Sequence, residues 1–344
     1  MNILKLPSPN ELKHKLPLPL AHQEQIIYFR SHLKTMMKDP YQLVLIVGPC
    51  SIYDKSTTLE YAKKLKALAD EVASTCFIIM RAYVEKPRTT HGWKGYLYQN
   101  NLSQQPNLYQ GLLLARELFL ELTDIGLPLA MEFVDPLSSY YFDDLITWGC
   151  IGARTCGSQI HRQLASSLDF PIGIKNSIDG NTALAMQAMV AASLPHAFLG
   201  LSQEGCIASL TSKGNPSTHL ILRGSESGIN YDISSIKKAF KDQSLYNLSS
   251  PILVDCSHGN SKKNLIKQQE IFLQLIEDKS ILYPCLLGLM LESFLESGSQ
   301  NISNPSLINP RCSITDPCLD WKTTESLILK AHKHLSKNLI YSSV

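Results

Sequence analysis

The chain of 344 residues carries 32 Lys+Arg against 30 Asp+Glu, a formal net charge of +2, with 44% hydrophobic and 18% charged residues. This balance is globular and excludes a strongly basic nucleic-acid binder or a chain with an acidic tail. Apolar stretches such as Leu43–Val47 and Ile281–Met290 fall far short of a membrane span, and the segment holding Pro7, Pro9, Pro17 and Pro19 has no apolar signal core. Nine scattered Cys without Cys-x-x-Cys spacing argue for reduced thiols rather than a disulfide framework or a zinc knot. A cytoplasmic protein is expected, with no nucleic acid and no membrane among its partners.

In chain order, about forty residues with a helix around Glu24–Met37 precede the first strand, too few for a domain. There follow short β-rich runs, each ending in a polar or charged residue and leading into a helix-compatible stretch. They are Leu43–Val47 before Cys50, Phe77–Met80 before Arg81, Leu127–Met131 before Glu132 and Cys150–Ala153 before Arg154. Next come Pro171–Ile174 before Lys175, Ala197–Leu201, Ile252–Val254 before Asp255 to His258, and Leu286–Leu291 before Glu292. Eight strand–helix repeats predict a (β/α)8 TIM barrel over residues 43–340, with 1–42 as an N-terminal arm and helix. A further β-like pair, Cys206–Ser212 and Thr218–Leu222 around Gly214-Asn215-Pro216, reads as a hairpin inserted after the sixth strand.

The C-terminal strand ends of such barrels carry the chemistry, and seven of the eight runs stop at a chemically active side chain. Closure makes strands seven, eight and one neighbours, so Cys50, His258 and Glu292 converge, with Asp316 in the segment Ser313 to Pro317 beside them. A thiolate, an imidazole and two carboxylates suit a divalent transition metal such as Mn, Fe, Co or Zn. Taken singly, each is also what a buried thiol or a core His looks like. A second group is cationic: Arg81, Lys86, Arg88, Lys94, Arg154, Lys175 and Arg223. That much charge at one mouth, in a chain otherwise neutral, implies more than one phosphate or carboxylate to hold. A solvated loop accounts for Arg88 and Lys94, but not for Arg154 and Lys175 directly after apolar strands. Lys175 could alternatively act as a Schiff-base nucleophile in an aldolase. Tyr140-Tyr141 and Trp148 read as helix packing, and His161 and Arg162 as surface residues.

Six motifs in order make the chain resemble the microbial class I 3-deoxy-7-phosphoheptulonate (DAHP) synthases. They are Gly48-Pro49-Cys50-Ser51-Ile52, Glu85-Lys86-Pro87-Arg88-Thr89-Thr90 with Gly92-Trp93-Lys94-Gly95, and Ile151-Gly152-Ala153-Arg154-Thr155. The others are Ile221-Leu222-Arg223-Gly224, Cys256-Ser257-His258-Gly259-Asn260-Ser261 and Ser313-Ile314-Thr315-Asp316. The resemblance runs from about Pro7 to about Leu335. It implies a metal-dependent condensation of phosphoenolpyruvate with erythrose 4-phosphate, the first step of the shikimate route to aromatic amino acids.

Carried over by position, the resemblance makes Cys50, His258, Glu292 and Asp316 metal ligands, and Arg81, Lys94, Arg154, Lys175 and Arg223 the grip on phosphoenolpyruvate. Arg88 and Thr89 would hold the erythrose phosphate, Lys86 lies between the substrates, and Glu132 is an active-site carboxylate. Two departures, Gly157 and Phe294, touch no ligand position. A homodimer or homotetramer is also implied.

Phe198-Leu199-Gly200, Gly214-Asn215-Pro216 and Ile281 to Ser293 look closest to the tyrosine-regulated isoenzymes. Gly200 is the possible specificity residue, leaving room for a phenol hydroxyl. The short arm before Ser8, and Ser139-Tyr140 in place of the usual Pro-Gln, cut the other way. The combined expectation is a weak tyrosine effector or none.

Overall fold

The computed structural model describes residues 3–90 and 92–341, with side chains to 337. Two helices, α1 (Pro9–Lys15) and α2 (Leu20–Met36), precede β1 (Leu43–Gly48). Then follow α3 (Lys55–Glu71), β2 (Cys76–Arg81), α4 (Leu108–Asp124), β3 (Leu129–Glu132), α5 (Ser139–Phe142), β4 (Trp148–Ile151), α6 (Gln159–Ser167), β5 (Ile172–Lys175) and α7 (Thr182–Ser193). The second half runs β6 (Ala197–Leu201), β7 (Ile207–Thr211), β8 (Thr218–Leu222), α8 (Ile233–Asp242), β9 (Ile252–Asp255), α9 (His258–Ser261), α10 (Leu265–Glu277) and β10 (Leu286–Glu292). Last come β11 (Glu296–Ser299), β12 (Cys312–Ser313) and α11 (Trp321–Tyr341). Helix starts are set locally: Asp54, Asn107, Asn181, Asp232 and Asn264 each accept a hydrogen bond from the backbone N–H three residues on. No described helix is long and apolar enough to cross a membrane.

Eight parallel strands close in the order β1-β10-β9-β8-β5-β4-β3-β2. Because strand side chains alternate, Leu43, Leu45 and Val47 pack outward on the helices, while Val44 and Ile46 point inward. The inner cluster adds Ile79, Ala130, Trp148, Cys150, Ile221, Leu253 and Met290, a packed core and not a pore. Leu33 and Met36 of α2 join it, and His32 meets Phe77 edge-on at 4.9 Å, so α2 plugs the N-terminal end. Trp148 is therefore barrel interior, not helix packing. His161 is buried, not at the surface: its ring reaches Ser158 Oγ at 2.9 Å and Val134 O at 3.1 Å.

One element differs from expectation. Ala197–Leu201 is not the sixth barrel strand and no hairpin follows that strand. β6 pairs antiparallel with β7 as a hairpin outside the barrel, and Thr218–Leu222 is the sixth barrel strand, paired with β5 and β9. The hairpin thus precedes the strand, and Gly214-Asn215-Pro216 leads into the barrel instead of turning between hairpin arms. The physical reason is burial. Leu199 and Ile207 face solvent at 81% and 84% exposure, whereas every residue of β8 is buried, including His219.

Candidate active site

The same alternation that fills the barrel also aims the site. Counting in twos from the apolar inner positions leads to Arg81 in β2, Glu132 in β3, Lys175 in β5 and Glu292 in β10, and past β8 to Arg223. Each is the last inward residue of its strand, where the core ends and a cleft of about 660 Å³ opens. Arg81, Lys86, Arg88, Thr89, Glu132, Arg154, Lys175, Arg223, His258 and Asp316 line this cleft, with Cys50 at its base and Lys262 and Lys263 at its rim. Glu292 lies just under the floor, 1% exposed.

Backbone detail sets these directions. Gly48 sits at φ 153°, and a Cβ there would fall 2.9 Å from the Arg81 carbonyl oxygen, so only glycine lets β1 pass this close to Arg81. His258, Lys262 and Lys263 adopt left-handed φ of 49°, 50° and 61°, strain typical of functional turns. Asn260 holds that turn, donating to the Leu222 and Asp255 carbonyls.

Donor atoms of Cys50, Glu292 and Asp316 lie within 4.8 Å of one another, a possible metal site. His258 stands at its edge, Nε2 3.7 Å from Glu292 Oε1. Sulfur, carboxylate and imidazole donors together fit a divalent transition metal, as the sequence implied. Burial, then the Glu292 charge, pushes the Cys50 thiol up to about 11, so metal binding would displace a proton from it. Lys86 Nζ reaches Cys50 Sγ at 2.7 Å and Asp316 Oδ2 at 3.0 Å, and Lys263 Nζ reaches Asp316 Oδ1 at 2.7 Å. Burial opposes the Lys86 charge, but Cys50 and Asp316 outweigh it and raise its pKa. Arg81 is fixed by Glu292 at 3.1 Å and the Pro49 carbonyl at 3.2 Å.

Arg154 donates to Thr89 Oγ1 at 2.8 Å, joining the β2 and β4 loops across the mouth. Lys94 stands apart. Its carbonyl accepts from Lys86 N at 2.8 Å as the loop doubles back, and its exposed side chain lies outside the cleft lining. Gly200 lies on the hairpin, where a Cβ would sit 2.4 Å from both Tyr140 Oη and Leu210 Cδ1. The room beside it is filled by this chain's own phenol.

Three residues were missed. Asp255, fully buried at the end of β9, accepts from Lys175 Nζ at 2.9 Å and lies 2.8 Å from His258 Nδ1. Its place three residues before His258 at a strand end was the available signal. Lys263 carries no signal beyond its charge. Glu85 is buried beneath the mouth, and only its neighbour Lys86 drew attention to it.

The chain is similar to known proteins over nearly its whole length. Residues 23–329 match the DAHP synthetase I family. The Tyr-sensitive phospho-2-dehydro-3-deoxyheptonate aldolases of Salmonella typhimurium and Escherichia coli are each 41% identical over 337 residues, covering 97% of this chain and 94% of theirs. A solved phospho-2-dehydro-3-deoxyheptonate aldolase from Francisella tularensis superposes with a TM-score of 0.93 at 36% identity, covering 97% of this chain and 98% of that one. The chain belongs to the DAHP synthetase I family.

Proposed function

We propose that this enzyme, a transferase, condenses phosphoenolpyruvate with erythrose 4-phosphate and water. The products are 3-deoxy-D-arabino-heptulosonate 7-phosphate and inorganic phosphate, at the first step of the shikimate pathway. The observation that carries this reading is one cleft holding a Cys/Glu/Asp cluster against a wall of cations, as a dianionic and a phosphorylated substrate require.

Arg154, Lys175, Arg223 and Arg81 hold the carboxylate and phosphate of phosphoenolpyruvate and offset its repulsion from the second substrate. Arg88 and Thr89 hold the aldose phosphate. A divalent Mn, Fe, Co or Zn held by Cys50, His258, Glu292 and Asp316 would supply Lewis-acid polarisation of the aldehyde. The phosphoenolpyruvate methylene carbon bonds to the aldehyde carbon, and Lys86 gives its proton to the former aldehyde oxygen. Water adds at the carbon bearing phosphate, with Glu132 taking its proton. The C–O bond then breaks, so the bridging oxygen departs with phosphate.

The Schiff-base alternative fails on Lys175 itself. Burial disfavours its charge, but Asp255 at 2.9 Å prevails and keeps it an ammonium, with no lone pair to attack a carbonyl. The deciding assay follows phosphoenolpyruvate consumption with erythrose 4-phosphate or arabinose 5-phosphate, with and without chelator, and with borohydride. Turnover on the four-carbon aldose alone, abolished by chelator and restored by Mn or Co, is expected. Borohydride trapping, five-carbon specificity or full activity in excess chelator overturns the reading. Absence of phosphate release would instead mark a non-catalytic effector-binding protein.

We further propose a cytoplasmic homodimer or homotetramer, checked by solution mass, in which residues 43–340 form the catalytic unit and 1–42 an arm. Tyrosine is the preferred effector if one acts, with inhibition weak or absent, because Tyr140 Oη and Leu210 already occupy the space beside Gly200. Tyrosine at about 1 mM, the range of a −4 kcal/mol interaction, should change the rate less than about twofold, and Tyr140→Ala should increase sensitivity. Strong inhibition by phenylalanine alone would show the Gly200 reasoning to be wrong.

A further inference from the structure

Glu85 is fully buried and does not line the cleft, and among the described residues the groups that act most on its charge are Ser138, Asp135, Tyr98 and Val134, none of them a cation. Its carboxylate instead collects four donors: Ser138 Oγ at 2.7 Å, Tyr98 Oη at 3.1 Å, and the backbone N–H groups of Asp135 at 3.3 Å and Val134 at 3.4 Å. Three of these belong to the loop after β3, and Tyr98 to the returning limb of Glu85's own loop. The backbone on either side is pinned to that limb: Leu97 N donates to Val84 O at 3.0 Å, and Lys86 N to Lys94 O at 2.8 Å. The next side chain along, Lys86, points the opposite way into the cleft, with Arg88 and Thr89 following.

We propose that Glu85 is a positioning residue whose carboxylate clamps the Lys86–Thr89 segment to the loop after β3, fixing where Lys86 and Arg88 meet the aldose phosphate. This rests on the function proposed above. Two partners are backbone N–H groups that can only donate, and the two hydroxyls can turn to donate as well, so the ionised acid accepts from all four. Protonation takes up one acceptor site and makes the acid a donor towards a hydroxyl, such as that of Ser138, which also lies 2.8 Å from the Asp135 carbonyl. Burial, with Asp135 adding repulsion, holds this carboxyl up at about 7, although Ser138, Tyr98 and Val134 N–H favour its ionised form. The clamp therefore loosens just below neutrality. The charged or titratable groups facing it are Tyr98 from its own loop and Asp135 from the β3 loop. His161 of α6 is one step removed, on the Val134 carbonyl, and Lys86 is adjacent in the chain.

The test uses the metal-loaded full-length enzyme for kinetics and the substrate-free protein for amide hydrogen exchange. In the wild type, kcat/KM for the aldose phosphate should fall as pH drops through about 7. Over the same range the Lys86 and Leu97 amides should lose protection beyond the intrinsic rate change. Glu85→Gln should raise KM for the aldose phosphate by roughly tenfold or more, leave KM for phosphoenolpyruvate within about twofold, and erase both pH effects. Ser138→Ala removes one donor to the ionised form and should move both effects to higher pH, and it serves where Glu85→Gln fails to fold. His161→Gln should leave both in place.

Unchanged pH dependence in Glu85→Gln, its loss in His161→Gln, or no upward move in Ser138→Ala overturns the proposal. A normal exchange signature in a protein that turns over neither substrate overturns the functional reading and leaves the clamp standing.

Discussion

Lys86→Met should lower kcat by about 10²–10⁴-fold, the range for removing a positioned general acid, while binding of the divalent ion becomes tighter. The two effects run in opposite directions for one reason. The Lys86 ammonium lies 2.7 Å from Cys50 Sγ and 3.0 Å from Asp316 Oδ2, atoms that would also bind the metal. Deleting a positive charge there favours another cation on the same donors, yet it removes the proton that the new alkoxide needs. Lys86→Arg should not rescue turnover, because a guanidinium holds its protons too tightly and is too broad for the place of a point charge. Equilibrium dialysis of the ion, run beside steady-state kinetics, checks both halves. Parallel loss of ion binding and activity would make Lys86 a support for the ligands instead of a proton donor.

Why Lys86 was legible in the sequence, and Asp255 and Glu85 were not, follows from how a barrel is built. Period-two alternation and a polar residue at the end of an apolar run are local signals, and they located Arg81, Glu132, Lys175 and Glu292. The rule was stronger than its first application. With Ala197–Leu201 read as the sixth strand, seven of eight runs obey it. The true strand, Thr218–Leu222, runs directly into Arg223 and completes the set. Local hydrophobicity favoured the wrong segment, since Thr218 and His219 look polar while Phe198 and Leu199 look like core. Only tertiary burial separates a hairpin with exposed Leu199 from a barrel strand with buried His219.

The convergence of Cys50, His258 and Glu292 from strands one, seven and eight was likewise readable, because closure alone makes those strands neighbours. What could not be read was which polar residues face each other across different loops. Glu85 meets Ser138, 53 residues away, and Asp255 meets Lys175, 80 residues away. Neither contact leaves a spacing in the chain. Lys94 shows the converse limit: its motif is intact, but the exposed side chain is not among those lining the cleft.

Asp255→Asn should cost about 3–5 kcal/mol of stability near pH 7, the range for stripping one partner from a buried ion pair. Lys175 and Asp255 are 4% and 0% exposed, so the stranded ammonium is poorly solvated at the cleft wall, and Arg81 nearby repels it. Replacing both, as Asp255→Asn with Lys175→Met, should recover much of the loss, since the penalty lies in the unpaired charge more than in the missing bond. The pH dependence identifies the pair. Burial opposes the Asp255 charge, but His258 and Lys175 more than offset it and hold its pKa well below the ordinary carboxylate value. A depressed folded pKa contributes stability above the unfolded value of about 3.9 and loses it as pH falls through the folded value. The Lys175 pKa is raised, so its contribution is complete below the unfolded value of about 10.4 and is lost as pH rises through the folded value. The gap in urea midpoint between wild type and Asp255→Asn should therefore be widest between about pH 4 and pH 10 and narrow outside both limits. A wild-type midpoint in Asp255→Asn, or a gap that stays constant into acid, would mean that the pair adds no net stability. Kinetics close the argument: with Lys175 no longer held, KM for phosphoenolpyruvate should rise in Asp255→Asn even at temperatures where the variant is fully folded.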